Sequence, residues 1–315
     1  MSYPFLGKYL DQLNCSLNSV FVAGNSRREG QLQLNVFGPL LLSSLVISVY
    51  ESFRPVHRRS NFIVGLLAQS ASFFYLLGQR FTAGFSTPLH YVFLVWSAAS
   101  GAAAVRGNPN GLVPSAEHVW STLIACTAGY LVPTVYAIVF KMNYQSLSIW
   151  QPFPLYVLAL NLVLPPIIRS VLLPALPFSR TQSRKVGTFL IALLCTAVSS
   201  MTHWELIAST LLAEHGVDIR DVLLLRAQPE AVASTFAHAA HALFTIDFAS
   251  VLLTNMIVAI PAFGGNIPRV ISTLIPFILI TVAAGPGAAV IITWATAEMS
   301  LQSQVADAAF KVKTK

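Results

Sequence analysis

Charged residues are scarce in this chain, and long apolar runs separate them. Only 10% of the 315 residues are Asp, Glu, Lys or Arg, whereas 55% are hydrophobic. A soluble domain carries roughly 25% charged residues, so the composition excludes an ordinary soluble enzyme. Apolar runs of about 20 residues are long enough to cross a bilayer as helices. The sequence therefore predicts an all-α fold, a polytopic transmembrane helical bundle.

The residues of several familiar sites are also missing. Cys15, Cys126 and Cys195 stand far apart and form neither a metal-binding spacing nor a disulfide framework. The sequence contains no Walker loop, no H-E-x-x-H zinc motif and no G-x-S-x-G nucleophile motif. It also contains no paired Asp-rich motif for a magnesium diphosphate. These absences argue against a metalloprotease, a serine hydrolase and a prenyltransferase. They predict chemistry carried by side-chain acids alone, without a metal or a cofactor.

The formal net charge of +7 lies mostly in short basic clusters between the apolar runs. Such clusters set membrane topology and contact anionic headgroups, so the expected partner is the lipid bilayer and not a nucleic acid. Two of these short clusters, residues 54–59 and 180–185, fall on the same side of the membrane in an eight-span arrangement.

Eight apolar stretches follow an irregular or amphipathic leader over residues 1–31. They cover residues 33–50, 62–79, 86–105, 119–140, 152–173, 186–208, 233–260 and 270–299. The last contains Gly285-Pro286-Gly287, which predicts a broken helix or two short ones, because proline removes a backbone donor and glycine relaxes the backbone. We expect about 7–8 spans in a single domain over residues 32–301, followed by a basic tail over residues 302–315.

Asp247 is the only formally charged residue between Glu230 and Arg269. A carboxylate at membrane depth costs several kcal/mol, so chains retain one mainly where it has a function or a partner. At about 100° per residue, His241 lies about 120° and His238 about 180° away from Asp247 around the same helix. A partner must therefore come from another helix.

Two interpretations of Asp247 remain open. It either forms a structural ion pair, with Arg169 as its mate, or stays protonated in an apolar site. Burial raises a carboxyl pKa by up to about 3–5 units, which is enough to keep the group neutral near pH 7. A neutral buried acid can donate a proton as a general acid.

Glu298 is the second isolated acid, and it lies one turn after Trp294. An indole face beside an acid suits a developing cation, an interaction worth about 2 kcal/mol when desolvated. Alternatively, Glu298 is an interfacial glutamate beside a tryptophan of the membrane belt. His90, beside Tyr91 near the start of a span, is either a polar residue satisfied by its neighbours or part of a binding wall.

Four segments resemble the fungal integral-membrane terpene cyclases of meroterpenoid biosynthesis, the group acting on ascochlorin- and macrophorin-type precursors. The segments are residues 87–93 (TPLHYVF), 150–156 (WQPFPLY), 244–249 (FTIDFA) and 285–288 (GPGA) running on to Trp294 and Glu298. Their order and spacing match that group from about residue 60 to residue 301. The chain departs from it at His90, where the group tends to have an aromatic residue.

The resemblance implies a metal-independent cyclisation of isomerase or lyase type. We expect a membrane-bound terpene cyclase that binds a lipophilic, farnesyl-type chain on an aromatic or polyketide head. Asp247 would protonate an alkene or epoxide, and Glu298 would accept the final proton. The substrate-binding residues would be Trp294, Tyr91, Phe248 and His90.

The expected location is an integral position in a membrane, that of the endoplasmic reticulum. A competing function is a non-enzymatic membrane protein, either a small transporter or a scaffold. In that case Asp247 would sit in a structural ion pair or a proton relay.

Overall fold

The computed structural model describes residues 17–105, 108–211, 218–223, 236–259 and 267–313. These ranges are almost entirely helical and contain no β-strand, which confirms the all-α prediction. The α-helices in these ranges are α1 (17–24), α2 (Arg28–Ser52), α3 (Phe62–Ala68), α4 (Ala71–Phe81), α5 (Ala83–Gly101), α6 (Ala116–Cys126), α7 (Val132–Val139), α8 (Tyr144–Trp150), α9 (Phe153–Ile167), α10 (Leu173–Ala175), α11 (Arg180–Leu211), α12 (Ile219–Leu223), α13 (Phe236–Ala259), α14 (Ile267–Ala284) and α15 (Pro286–Lys313).

Six helical stretches in the described ranges are long and apolar enough to cross a membrane. They are Arg28–Ser52, Ala83–Val105, Asn110–Val139, Tyr144–Ala175, Arg180–Leu211 and Ala239–Val258. The pair α3 and α4, bent by 70°, makes a seventh if it is one broken span. The chain is therefore a polytopic helical bundle with six or seven such elements, at the lower edge of the expected number.

Two of the eight expected spans differ from regular helices for local reasons. The stretch 62–79 is divided between α3 and α4. The stretch 270–299 breaks at Gly285, as the Gly-Pro-Gly sequence predicts, and leaves the apolar segment Ile271–Ala284 of α14 before the break. The 18 residues of α14, at about 1.5 Å each, span roughly 27 Å, slightly less than the hydrocarbon core of about 30 Å.

The break between α14 and α15 is held in place by one serine. Gly285 has φ +89°, a conformation that favours glycine. The Ser199 hydroxyl donates to the Ala284 carbonyl (3.2 Å) and accepts from the Ala288 amide (3.0 Å). Ser199 therefore satisfies backbone groups that both helix ends would otherwise leave unpaired.

Helix α2 lies at the centre of the bundle. Nearly all of its residues are buried, and it packs against α11, α13 and α15. A helix that is apolar on every side is stable only when other elements surround it. Helix α2 begins inside the expected leader, and α15 continues through residue 301 to Lys313, so neither expected boundary coincides with a helix end.

The basic segments 54–59 and 180–185 lie at the same end of the bundle. The Arg54 side chain donates to the Leu112 carbonyl, and Arg184 Nη1 donates to the carbonyl of the nearby Pro114 (3.4 Å). Lys185 reaches Ser303 on α15 (2.9 Å). The C-terminal end of α2, the first turns of α11 and the second half of α15 therefore lie together at this end.

Candidate functional site

A cavity of about 830 Å³ opens at this end of the bundle. Its charged side chains come from the end of α2, the segment that follows it and α15, and they are joined by His57 of the 3₁₀ helix Pro55–Arg59. The charged residues are Glu51, Arg54 and Glu298. Apolar side chains come from α2, α5, α13 and α15, and include Ile47, Leu94, Val95, Ala98 and Val258. Tyr91 and Trp294 add aromatic rings to the lining. The cavity thus combines an acidic wall with apolar and aromatic walls.

Glu51 and Arg54 form one half of the acidic wall. Arg54 Nη2 donates to Glu51 Oε1 (2.7 Å), and Arg54 Nε contacts Glu51 Oε2. The two residues stand three positions apart where α2 ends, so the chain folds the guanidinium back over the carboxylate. Trp294 Nε1 adds a third donor to Glu51 (2.9 Å). All three donors are N–H groups, which favours an ionised Glu51.

Glu298 forms the other half of the acidic wall. Its Oε2 accepts from Arg54 Nη2 (2.5 Å), and its Oε1 accepts from the Tyr50 hydroxyl (2.7 Å) and from Gln302 Nε2 (3.0 Å). Gln302 lies one turn further along α15 and also contacts the Tyr50 hydroxyl (2.9 Å). The Glu298 side chain is only 1% exposed, so it is a buried acid on the cavity wall and not an interfacial glutamate.

One guanidinium therefore serves two carboxylates. Burial lowers the pKa of Arg54, but Glu298 and Glu51 outweigh that effect and hold the Arg54 pKa well above its ordinary value. Two carboxylates therefore share a single cation on this wall. This cluster of Tyr50, Glu51, Arg54, Glu298 and Gln302 is called the acid cluster below.

Asp247 lies far from the acid cluster. Its neighbour Thr245 accepts a hydrogen bond from Gln33 near the start of α2 (2.5 Å), whereas Glu298 contacts Tyr50 near the end of α2. Seventeen residues of helix separate Gln33 from Tyr50, or about 25 Å along the axis. Asp247 and Glu298 therefore do not share one site.

The surroundings of Asp247 are those of a helix cap. Its Oδ1 accepts from the Gly84 amide at the first turn of α5 (3.1 Å), and Ser250 donates to the Gly84 carbonyl (2.6 Å). A carboxylate at a helix N-terminus satisfies orphan amides and the helix dipole. Asp247 also lines a separate cavity of about 170 Å³ with Phe21, Trp150 and other aromatic residues.

A family model described as the CtvD domain matches residues 9–299, which is nearly the whole chain. The chain belongs to the CtvD family. This is a family of fungal meroterpenoid-pathway proteins, in agreement with the kind of pathway that the sequence resemblance implies. No curated protein and no solved structure matches the chain.

The remaining expected site residues of this CtvD-family chain divide between two places. Tyr91 and Trp294 line the large cavity, where the Tyr91 hydroxyl donates to Asn255 (2.7 Å). His90 points elsewhere: it is fully buried, stacks on Phe74 and contacts the Ala68 carbonyl (3.1 Å). Phe248 packs edge-on against Phe37 and is absent from the lining of the large cavity.

Of the two interpretations of Asp247, the ion pair with Arg169 is wrong. Arg169 binds Glu117 instead, with Nη2 2.6 Å and Nε 3.0 Å from Glu117 Oε1. The physical reason is helix packing, because α6, which carries Glu117, lies against the π-helical turn Ile168–Leu172 that carries Arg169. Asp247 meets α5 instead.

Glu51, Tyr50 and Arg54 are site residues that the sequence pattern does not single out. Arg54 belongs to a basic cluster of the kind that sets membrane topology, and Glu51 follows directly after an apolar run. The available signal was the Glu-x-x-Arg spacing at a predicted helix end, which places the two side chains on one face. Among the described residues, no group of three or more His, Cys, Asp or Glu side chains is arranged to hold a metal ion.

Proposed function

We propose that this protein is a membrane-bound terpene cyclase that starts cyclisation of a prenylated, farnesyl-type precursor by protonating an alkene or epoxide. The observation that carries the proposal is the buried acid cluster on the wall of the 830 Å³ cavity. Apolar pockets with a few convergent polar groups are the usual form of small-molecule sites, and this volume lies within their range of about 300–1,000 Å³.

Glu298 is the proton carrier in this proposal. Protonated on Oε1, it would donate to the Tyr50 oxygen across the same 2.7 Å contact, and Tyr50 would then turn its own hydrogen toward Thr188 (3.4 Å). A hydrogen between two oxygens can reside on either of them. Glu51 has no such option, because N–H groups occupy the contacts of both of its oxygens.

The reaction then balances without another reagent. Glu298 transfers its proton to one carbon of a terminal alkene, or to an epoxide oxygen, and a carbocation forms next to it. Neighbouring alkenes attack in turn, each forming a carbon–carbon bond. The last cation loses a proton to the Glu298 carboxylate, which restores the acid, so the product from an alkene or epoxide is an isomer of the substrate.

The cavity walls suit the cationic intermediates. Trp294 and Tyr91 present aromatic rings, which attract cations with about 2 kcal/mol or more when desolvated. The ionised Glu51 adds negative charge on the same wall. The apolar side chains keep water from quenching the cation.

Exchanging Glu298 for glutamine tests the proposal, because Gln keeps the shape of the side chain and one acceptor oxygen but has no acidic proton to transfer. Purified protein in nanodiscs would receive a farnesylated phenol, and products of unchanged mass would be separated by chromatography. We expect wild-type protein to form a cyclic isomer that incorporates one deuterium in D₂O. Glu298→Gln should lower turnover at least about 100-fold, in the range of lost general-acid catalysis.

Glu205→Gln is the matched control, since Glu205 pairs with Arg28 in a partly exposed contact at 3.4 Å. It should turn over at the wild-type rate. Wild-type turnover by a folded Glu298→Gln variant would contradict the assignment. Asp247 as the proton donor stays a prediction, and it gains support if Asp247→Asn abolishes turnover while Glu298→Gln does not.

The endoplasmic reticulum remains our proposal for the membrane that holds the protein. A fluorescent fusion expressed in a filamentous fungus tests it. Co-localisation with a marker of that membrane is the expected result, and a plasma-membrane or vacuolar signal would contradict it.

A further inference from the structure

His57 is a buried histidine that lines the large cavity and that the proposed reaction does not use. It stands on the 3₁₀ helix Pro55–Arg59 and is only 2% exposed. The ring lies near the Glu51 backbone carbonyl, yet neither ring nitrogen has a hydrogen-bond partner of normal geometry in the described part of the chain. Buried polar atoms of folded proteins nearly always have a partner. The unpaired ring therefore points to a ligand in the cavity.

The charge state of His57 determines which hydrogen-bonding group the ligand must carry. Burial lowers the His57 pKa to about 4, against the opposing effect of Glu51, so the ring is neutral near pH 7. A neutral imidazole has one N–H donor and one nitrogen acceptor. A hydroxyl group, which both donates and accepts, matches either nitrogen.

The neighbouring charges exclude an anionic ligand group. Glu51 and Glu298 stand on the same wall, and Arg54 is already engaged by both of them and by the Leu112 carbonyl. Among the described residues that line the cavity, Arg54 is the only Lys or Arg, and a phosphate or carboxylate placed here would have to compete with two acids for it. The absence of an uncommitted cation from this lining therefore favours a neutral polar group beside His57.

We propose that His57 recognises the polar head of the substrate by a hydrogen bond to a neutral phenolic or enolic hydroxyl. The prenyl chain then lies along the apolar wall of Leu94, Val95 and Val258. This inference rests on the proposed function for the nature of the chain, but it concerns binding and not the cyclisation itself. His57 is a specificity-determining residue in this arrangement.

A probe that cannot cyclise separates the two ideas. An alkylresorcinol with a saturated C15 chain carries the hydroxyl groups and has no alkene to protonate. Its doubly O-methylated counterpart has the same chain but cannot donate a hydrogen bond. Binding of each to the purified full-length protein in nanodiscs would be measured by competition or calorimetry. We expect the wild-type protein to bind the free resorcinol at least about tenfold more tightly, because a site built for a hydroxyl rejects its analogue strongly.

The variants assign the preference to His57. His57→Phe should lower the affinity ratio to about one, and His57→Asn, whose carboxamide also donates and accepts, should retain part of it. His203→Phe, at a histidine outside the cavity, should keep the wild-type ratio. Equal wild-type affinities for the two probes would overturn the inference without any variant, and so would an unchanged ratio in a folded His57→Phe protein. If the wild-type protein showed this affinity ratio but no cyclase activity, the proposed function would be overturned and the inference about His57 would stand.

Discussion

Removing the guanidinium of Arg54 tests the acid cluster directly. In Arg54→Met the apolar stem remains, but Glu51 and Glu298 lose the cation that they share. The Arg54 side chain is 11% exposed and Glu298 is 1% exposed, so water cannot replace the lost contacts. Removing one partner of a buried ion pair costs about 3–5 kcal/mol, because a buried charge remains uncompensated. Because Arg54 contacts two acids, we expect the free energy of unfolding to fall by about 5 kcal/mol.

The second carboxylate makes the effect non-additive. Glu298→Gln alone should cost about 1–3 kcal/mol, since one strong acceptor is weakened. In the Arg54→Met background, the Arg54 contact of Glu298 is already lost, so the same change has less left to remove. The double variant should therefore lie within about 1 kcal/mol of Arg54→Met. Independent residues would instead give the sum of the two losses.

The assay is equilibrium unfolding by SDS in mixed micelles, followed by tryptophan fluorescence. Arg28→Met is the matched control, because its pair with Glu205 is 3.4 Å long and its side chain is 37% exposed. Exposed pairs of this kind contribute about 0–1 kcal/mol. Should Arg54→Met fail to fold, Arg54→Lys keeps the charge and should lose less. A loss below about 1 kcal/mol in Arg54→Met, or an additive double variant, would refute the shared-cation arrangement.

Three further predictions concern other parts of the bundle. Because the His57 pKa falls from about 6.5 unfolded to about 4 folded, the unfolded state binds more protons between these values. The contribution of His57 to the unfolding free energy should therefore rise with pH from about 4 to 6.5, by up to about 3.4 kcal/mol, and then level off. In an SDS titration series the rise should be smaller in His57→Phe than in the wild-type protein, and an equal rise would contradict this. Asp247→Leu should cost about 1–2 kcal/mol by leaving the Gly84 amide without its acceptor, whereas Asp247→Asn should cost less, and equal losses in the same assay would argue against the cap. Gly285→Ala should lower the free energy of unfolding by about 1–2 kcal/mol, because φ is +89° and the added Cβ would stand 2.9 Å from a serine hydroxyl oxygen. Gly38→Ala, whose Cβ meets nothing nearer than 4.0 Å, is the control and should not destabilise the protein. Equal thermal midpoints of the two variants would contradict backbone strain at Gly285.

The features predictable from the sequence are those that local chemistry determines. Apolar run lengths predict membrane helices, and Gly285-Pro286-Gly287 predicts the break that the structure shows. Scarcity of charge singles out Glu298, and of its two interpretations the desolvated acid beside Trp294 agrees with its burial. Each of these inferences needs only neighbouring residues, which is why it survives without knowledge of the tertiary packing.

The partners of the acids were not predictable in the same way. Asp247 binds a backbone amide at Gly84, which any residue type could provide. Arg169 is the mate of Asp247 in one of the two interpretations of the sequence, but it binds Glu117. The helix pairing that decides between these partners depends on side-chain packing across the whole bundle, and a single sequence contains no direct record of it.

The two acids of the cluster differ in their donors, and we base the roles proposed for them on this difference. Glu51 faces N–H groups of Arg54 and Trp294, none of which can accept a proton in return. Glu298 also accepts from Arg54 and Gln302, but it faces in addition the Tyr50 hydroxyl, which can donate or accept, and Tyr50 has Thr188 as an alternative partner. In the proposed reaction a proton would therefore enter or leave Glu298 by rotation of two hydroxyl groups, with its contact to Arg54 intact. The same proton on Glu51 would displace an N–H donor from a buried site, so we propose Glu298 as the proton carrier and Glu51 as the fixed counter-charge.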